Sequence, residues 1–246
     1  MMSIQTRLQC ERGDHLSQIQ LTGQRLSLRD IAYVSLRNAI VTLKLKPGES
    51  ATEERLSHEL GVSRPIIREA VQQLQAEGLL ERLSNGRLRV SPITEDDVNQ
   101  LYAVRSAIEL VVVSEAMAHC DEAAMQLLED SVTRMKLEGE ISDGRGVTIS
   151  GGNFHSLIFE LSHNRVATDV MARLRVRIDR YRHISVSSSA DRPHDSIGEH
   201  EAILFAFRLG DVPAAQAAMT LHVENAKRAV LEGFSEQAVA LLADQV

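Results

Sequence analysis

At 246 residues the chain has room for one or two domains with real cores, and its 43% hydrophobic and 25% charged content is ordinary for a globular protein. With only Cys10 and Cys120, no Trp, and no apolar run fit for a signal peptide or membrane span, it is expected to be neither a disulfide scaffold, a cysteine-based zinc module nor a membrane protein, and the cytoplasm is its expected location. The net charge of −7 does not exclude a nucleic-acid partner: residues 27–92 carry ten basic and eight acidic side chains and residues 93–246 fourteen and twenty-four, and it is local charge that meets phosphates.

Residues 1–26 are polar and without period, and read as a flexible extension. From Leu28 to Leu43, apolar residues at Leu28, Ile31, Val34, Leu36, Ile40 and Leu43 predict a helix, and Lys46-Pro47-Gly48 a turn. Thr52 is placed to cap a short helix over residues 53–60, and Gly61 to turn the chain. Ser63 is the expected N-cap of the next helix, its hydroxyl accepting from a first-turn N–H, with Pro65 tolerated just inside. Ile66, Ile67, Ala70, Val71 and Leu74 then form one apolar face, leaving Arg64, Arg68, Gln72 and Gln75 off it. Arg pairs bidentately with guanine and Gln with adenine, so this helix is suited to the major groove. Asn85-Gly86 between two short runs predicts a hairpin bearing Arg82, Arg87 and Arg89, which suit phosphate or minor-groove contact.

A lone helix-turn-helix is often only a packing unit with solvated arginines. Helix, hairpin and basic wing in one run favour a winged helix-turn-helix over residues 27–90 that binds DNA. The expected DNA-contacting residues are Arg55, Ser63, Arg64, Arg68, Gln72, Arg82, Asn85, Gly86 and Arg87.

After a linker at 91–95, residues 96–234 read as an all-helical antiparallel bundle, followed by a tail at 235–246 with a short helix near 236–242. The fold class is therefore mainly α. Residues 139–152, with five glycines, read as a loop, as do Ser187 to Ser189 with Pro193. Five arginines from Arg173 to Arg182 crowd one helix, and their spacing predicts that most face solvent or a dimer contact. His155, His200 and His222 fall on different helices, and imidazoles converging in a bundle core can bind a divalent ion; a buried His hydrogen-bonded to a neighbour is the plainer reading.

LRNAIVTLKLKPGE, ATEERLSHELGVSRPIIREAVQQLQAEGLL and the NG wing resemble the GntR family of bacterial transcriptional regulators. LYAVRSAIE, NFHSLIFELSHN and SIGEHEAILFAFRLGDVPAAQAAMTLHV resemble that family's FCD effector domain, so the likeness covers about residues 28–232. The sequence departs from the family pattern in four places. Pro65-Ile66-Ile67 replaces Thr-Pro-Val, Glu54-Arg55 reverses the usual Arg-then-Glu, Leu43 replaces the Gly ahead of the KPG turn, and Gly151 stands where an Asp ligand is usual.

The resemblance implies a homodimeric regulator, expected to be a repressor, on a near-palindromic double-stranded operator. Its affinity would answer to a small organic acid or sugar acid. It also implies His155, His200 and His222 as ligands to Zn, Mn or Ni, and Arg105, Asn153 and the three histidines as effector contacts. Two alternatives stay open: a metal bound by three histidines with the effector supplying the missing oxygens, or histidines that hold the effector directly. Arg105 is expected either to meet an effector carboxylate or to pair within its helix with Glu109. A metal-dependent enzyme is the rival reading. It lacks an evident acid/base partner, because Glu199 is adjacent to His200 and on a different helical face.

Overall fold

The computed structural model describes residues 27–141, 143–188 and 191–243; the predicted N-terminal extension lies outside them. Helix α1 (Leu28–Val41) starts at a reciprocal capping box between Ser27 and Asp30, and packs Ala32, Leu36 and Ile40 inward. Thr52 caps α2 (Glu53–Leu60) by accepting from the Arg55 N–H, and Gly61 ends it in the left-handed region. Helix α3 (Arg64–Ala76) buries Ile67, Ala70, Val71 and Leu74.

A strand the sequence reading missed, β1 (Ser50–Ala51), pairs antiparallel with β3 (Leu88–Val90), which pairs in turn with β2 (Leu80–Arg82). Two residues are too short for a period-2 signal; Ala51 is buried opposite Leu88, so packing creates the strand. The hairpin turns through Ser84 and Asn85, with the Gly86 N–H donating to the Leu83 carbonyl and Gly86 at φ +80. Asn85-Gly86 is thus not a two-residue turn: glycine follows the turn, in the left-handed position of a three-residue loop.

The second half is helical throughout: α4 (Glu95–His119), α5 (Glu122–Glu140), α6 (Gly144–Leu161), α7 (Arg165–Ser188), α8 (Arg192–Leu209) and α9 (Val212–Ala243). Most of the predicted glycine loop is helix. Asp143 caps α6 by accepting from the Gly146 N–H, and a Cβ at Gly146 would lie 2.6 Å from the Asp143 carboxylate. Glycine here admits a neighbour at close range, which composition alone cannot distinguish from a breaker. Likewise α7 runs through Ser188, Pro193 sits in the first turn of α8, and the predicted tail helix continues α9 without a break.

One hydrophobic cluster joins α4 through α9 around Tyr102, Phe154, Ile203 and Val223. Another fills the winged unit, and it includes one residue from the bundle, Val176 of α7. Arg37 of α1 pairs with Asp179 of α7 at 3.5 Å beside it.

Candidate functional site

On the winged unit, Arg64, Arg68 and Gln72 are exposed and four residues apart, forming one stripe along α3. Ser63 is the N-cap residue, but its side chain makes no capping bond. Glu53, which the sequence reading passed over, ties the reader together. It accepts from Arg82 at 2.6 Å and Arg68 at 3.4 Å, and the Arg82 bond above all holds its carboxyl below the usual range. Arg55 donates to Glu59 at 2.7 Å and Glu49 at 3.3 Å. Arg64 and Arg87 are exposed, with no ion pair among the described residues. Asn85 accepts from the Arg87 backbone N–H at 3.0 Å and, with Gly86, shapes the exposed wing tip.

In the bundle, α6, α8 and α9 bring His155, His200 and His222 together, with one nitrogen of each within 4.8 Å of the others. All three are buried. His155 and His222 approach at 3.1 Å between Nε2 atoms, and the Nε2 of His200 is buried without a hydrogen-bond partner. Each Nδ1 faces an acceptor. His200 donates to the Ser196 carbonyl at 2.6 Å, and His222 to Glu199 at 2.7 Å. His155 Nδ1 lies 2.7 Å from Glu109, off the ideal hydrogen-bond direction.

The Nδ1 protons of His200 and His222 are directed at acceptors, so their Nε2 atoms carry lone pairs facing the space between the three rings. Carboxylate or carbonyl partners on the far nitrogen also orient metal-ligating imidazoles. The residues therefore fit a divalent ion. Burial first, then the neighbouring imidazoles, hold His200 and His222 well below their ordinary range. Burial also lowers His155, against an upward pull from Glu109. Neutral imidazole is the form a metal takes.

Gly151 opens the site. A Cβ there would lie 3.3 Å from His200 Nε2, so a side chain at this position would project at the convergence point. Around this opening a cavity of about 50 Å³ is lined by Thr148, Arg182, Arg192, Ser196, His200 and His222.

Arg105 makes the expected pair within its helix. Its Nε donates to Glu109 at 2.6 Å, while both terminal nitrogens are buried without a partner. Burial tends to raise the Glu109 carboxyl, but Arg105 and His155 outweigh it and hold it well below the usual range. Asn153 is exposed and lines a groove between α1 and α6–α7, away from the histidine cavity. Glu199 is indeed off the His200 face, and for that reason it reaches across to His222, Arg192 and Asn225. Of the five α7 arginines only Arg173 is fully exposed. Arg175 donates to Ser156 and the Gly152 carbonyl, Arg177 pairs with Asp97, and Arg180 and Arg182 are enclosed enough that burial lowers each to about 10.

Residues 23–90 match the family model for bacterial regulatory proteins of the gntR family, and residues 100–225 match the FCD domain. The chain belongs to the GntR family, with an FCD domain. An HTH-type transcriptional regulator in an unstable DNA locus of Streptomyces ambofaciens is 31% identical over 82% of this chain and 84% of its own length. The Escherichia coli HTH-type transcriptional repressor RspR is 27% identical over 80% and 86%. The solved structure of E. coli McbR/YncC shares the fold, with a TM-score of 0.68 at 18% identity, covering 90% of this chain and 99% of that one. This GntR-family chain is a transcriptional regulator; its relatives are transcriptional regulators and not enzymes, so the histidine cluster does not mark a metalloenzyme. No helix among the described residues is long and apolar enough to cross a membrane.

Proposed function

We propose that this GntR/FCD regulator is a cytoplasmic homodimeric repressor that docks two α3 helices on a near-palindromic double-stranded operator. A small organic acid or sugar acid, bound among the bundle helices beside a Zn, Mn or Ni ion held by His155, His200 and His222, sets its affinity. The reader spans residues 27–90, the linker 91–95 and the effector domain 96–234; residues 1–26 and 235–246 flank them. Arg64, Arg68 and Gln72 read bases, while Arg55, Ser63, Arg82, Asn85, Gly86 and Arg87 meet the backbone. Gly151 leaves coordination positions open for effector oxygens, and the metal supplies Lewis-acid charge there.

The observation that supports this reading is that one helix serves both regions. Helix α7 lines the histidine cavity with Arg182 and inserts Val176 into the core of the winged unit. A ligand that prefers one placement of α7 then biases the placement of the reader, which is the differential affinity that coupling requires.

A mobility-shift titration tests it, using DNA flanking the protein's own gene, with and without organic acids and metal. A salt-sensitive shift at one palindrome, altered by one acid, is expected; no sequence-preferring shift in any condition overturns it. Calorimetry on chelator-stripped protein tests the metal, and no binding at micromolar Zn, Mn or Ni removes that part.

A further inference from the structure

Helix α8 turns an apolar stripe to solvent. Gly198, Ala202, Phe205 and Leu209 are all exposed and follow one another at intervals of four, three and four residues, which sets them along one ridge. Phe205 is 62% and Leu209 63% exposed. An isolated apolar residue on a surface is ordinary, but two large ones a turn apart, continued by two small ones, form a patch. Beside the stripe runs a groove of about 700 Å³ between α8 and α9. Gly198 and Ala202 line it together with Leu221 of α9, which is exposed too. Ile197 and Ala229 complete its apolar lining. The rest is polar: Arg192 and Glu199 pair with each other, and the exposed Asp195, Glu201 and Glu232 outnumber the exposed Arg228.

Along the ridge the order of sizes is small, small, large, large. A two-fold axis between Ala202 and Phe205 turns the ridge end for end, and the second copy then presents Phe205 to Ala202 and Leu209 to Gly198. Each large side chain meets a small one and enters the groove beside Leu221, the fit that packed helices use. The charges obey the same symmetry. Arg208 stands at the C-terminal end of the ridge and Asp195 and Glu201 toward its N-terminal end, so the rotation brings Arg208 of each copy to the acidic end of the other. Arg208 bonds Glu129 at 2.8 Å and Glu201 pairs with Lys136, yet both side chains stay about half exposed and can take a further partner. A surface that complements itself under a two-fold axis is what a contact between identical chains requires. Helix α4 carries a separate exposed stripe, Val104, Ala107 and Val111, and both α4 and α8 pack on α6, α7 and α9. A homodimer can therefore close on α4 and leave α8 free.

We propose that the α8 stripe docks antiparallel on the α8 stripe of a second copy, and that this contact pairs homodimers into an assembly that holds two DNA segments at once. The pairing of dimers rests on the homodimeric, operator-binding reading above; the fit of α8 to itself does not.

Sedimentation velocity of the full chain over a concentration series tests it. A species larger than the dimer, growing with concentration, is expected. Phe205→Glu is expected to weaken that step about a hundredfold or more, because a two-fold contact loses the ring twice. Its melting should be unchanged, since the ring is largely exposed in the protomer. Ala202→Leu separates fit from stickiness: it adds apolar surface but fills the recess for Phe205, and is expected to weaken the step as well. Wild-type protein on an immobilised DNA fragment flanking its own gene is expected to capture a second, labelled copy of that fragment, and Phe205→Glu to hold the first without the second. The proposal is overturned by a wild type that never exceeds the dimer, by an undiminished step in Phe205→Glu, or by a strengthened one in Ala202→Leu. A Phe205→Glu chain that sediments as a monomer also overturns it, because α8 then closes the dimer itself. Failure of any DNA to bind sinks the operator reading, while the sedimentation series still decides the α8 contact.

Discussion

Leu43 stands in the left-handed region at φ +59, where its family resemblance implies glycine. A non-glycine residue there costs about 1–2 kcal/mol. The side chain does not join the cluster that fills the winged unit, so little packing offsets the strain. Glycine would add chain entropy to the unfolded state, worth about 0.5–1 kcal/mol. Leu43→Gly is therefore expected to stabilise the protein by about 0.5–1 kcal/mol and raise Tm by about 2 °C; a lower Tm would show that the half-buried Leu43 side chain contributes more than its backbone costs. The histidines make an opposite case, in which burial holds groups neutral. Unfolded imidazoles titrate near 6.5, and all three native values are lower. Below pH 6.5 the unfolded chain binds more protons than the fold, so stability falls on acidification through that window. Glu109, ionised in the fold, adds a further loss below its unfolded value near 4.5. Metal-stripped protein should melt lower at pH 5.5 than at 7.5, and an unchanged Tm would contradict the burial of neutral imidazoles.

Helix α7 carries the arginines of the cavity on one side and its docking contact to the winged unit on another. The Arg37–Asp179 pair is about 28–29% exposed on both sides, and such pairs contribute about 1 kcal/mol or less. Val176 is 7% exposed within the winged unit's core, and a carboxylate there has no partner. The two positions separate coupling from stability. Asp179→Asn is expected to leave Tm within about 2 °C while reducing the effect of effector on operator affinity; Val176→Asp is expected to cost about 3 kcal/mol or more and unfold the reader. Chemical denaturation followed by anisotropy on operator DNA reads both. A normal effector response in Asp179→Asn would assign the coupling elsewhere.

The molecule as a whole is acidic, yet its reader is close to neutral, with Glu49, Glu53 and Glu59 engaging Arg55, Arg68 and Arg82. On the proposed palindromic operator, phosphates compete with those carboxylates, and pairing two readers is expected to offset the weak binding of one. Arg64→Ala is expected to cost about 1–3 kcal/mol on the operator and relax its base preference, whereas Arg87→Ala should weaken all sequences alike and lower the salt slope by about one. Anisotropy at several salt concentrations on operator and scrambled DNA distinguishes them; equal losses on both for Arg64→Ala would remove its base-reading role.

The winged unit was legible along the chain because its signals are local. The cap at Thr52, the apolar period of α3 and the Asn85-Gly86 pair that marks a hairpin each act within a few residues. The same holds for α4, announced by Thr94 and three acids in its first turn. The three histidines could be picked out, with help from family resemblance, but not their surroundings. Glu109, Glu199 and the Ser196 carbonyl become partners only when α4 and α8 pack beside α6 and α9. The glycines of α6 were misread for the same reason: alone they weaken a helix, and only against α5, α8 and the α7 arginines does their lack of a side chain become the feature that lets neighbours close in. Periodicity and capping are properties of adjacent residues, and the sequence determined them. Convergence of imidazoles, enclosed guanidiniums and a glycine-shaped opening are relations between distant residues, and only tertiary packing decided them.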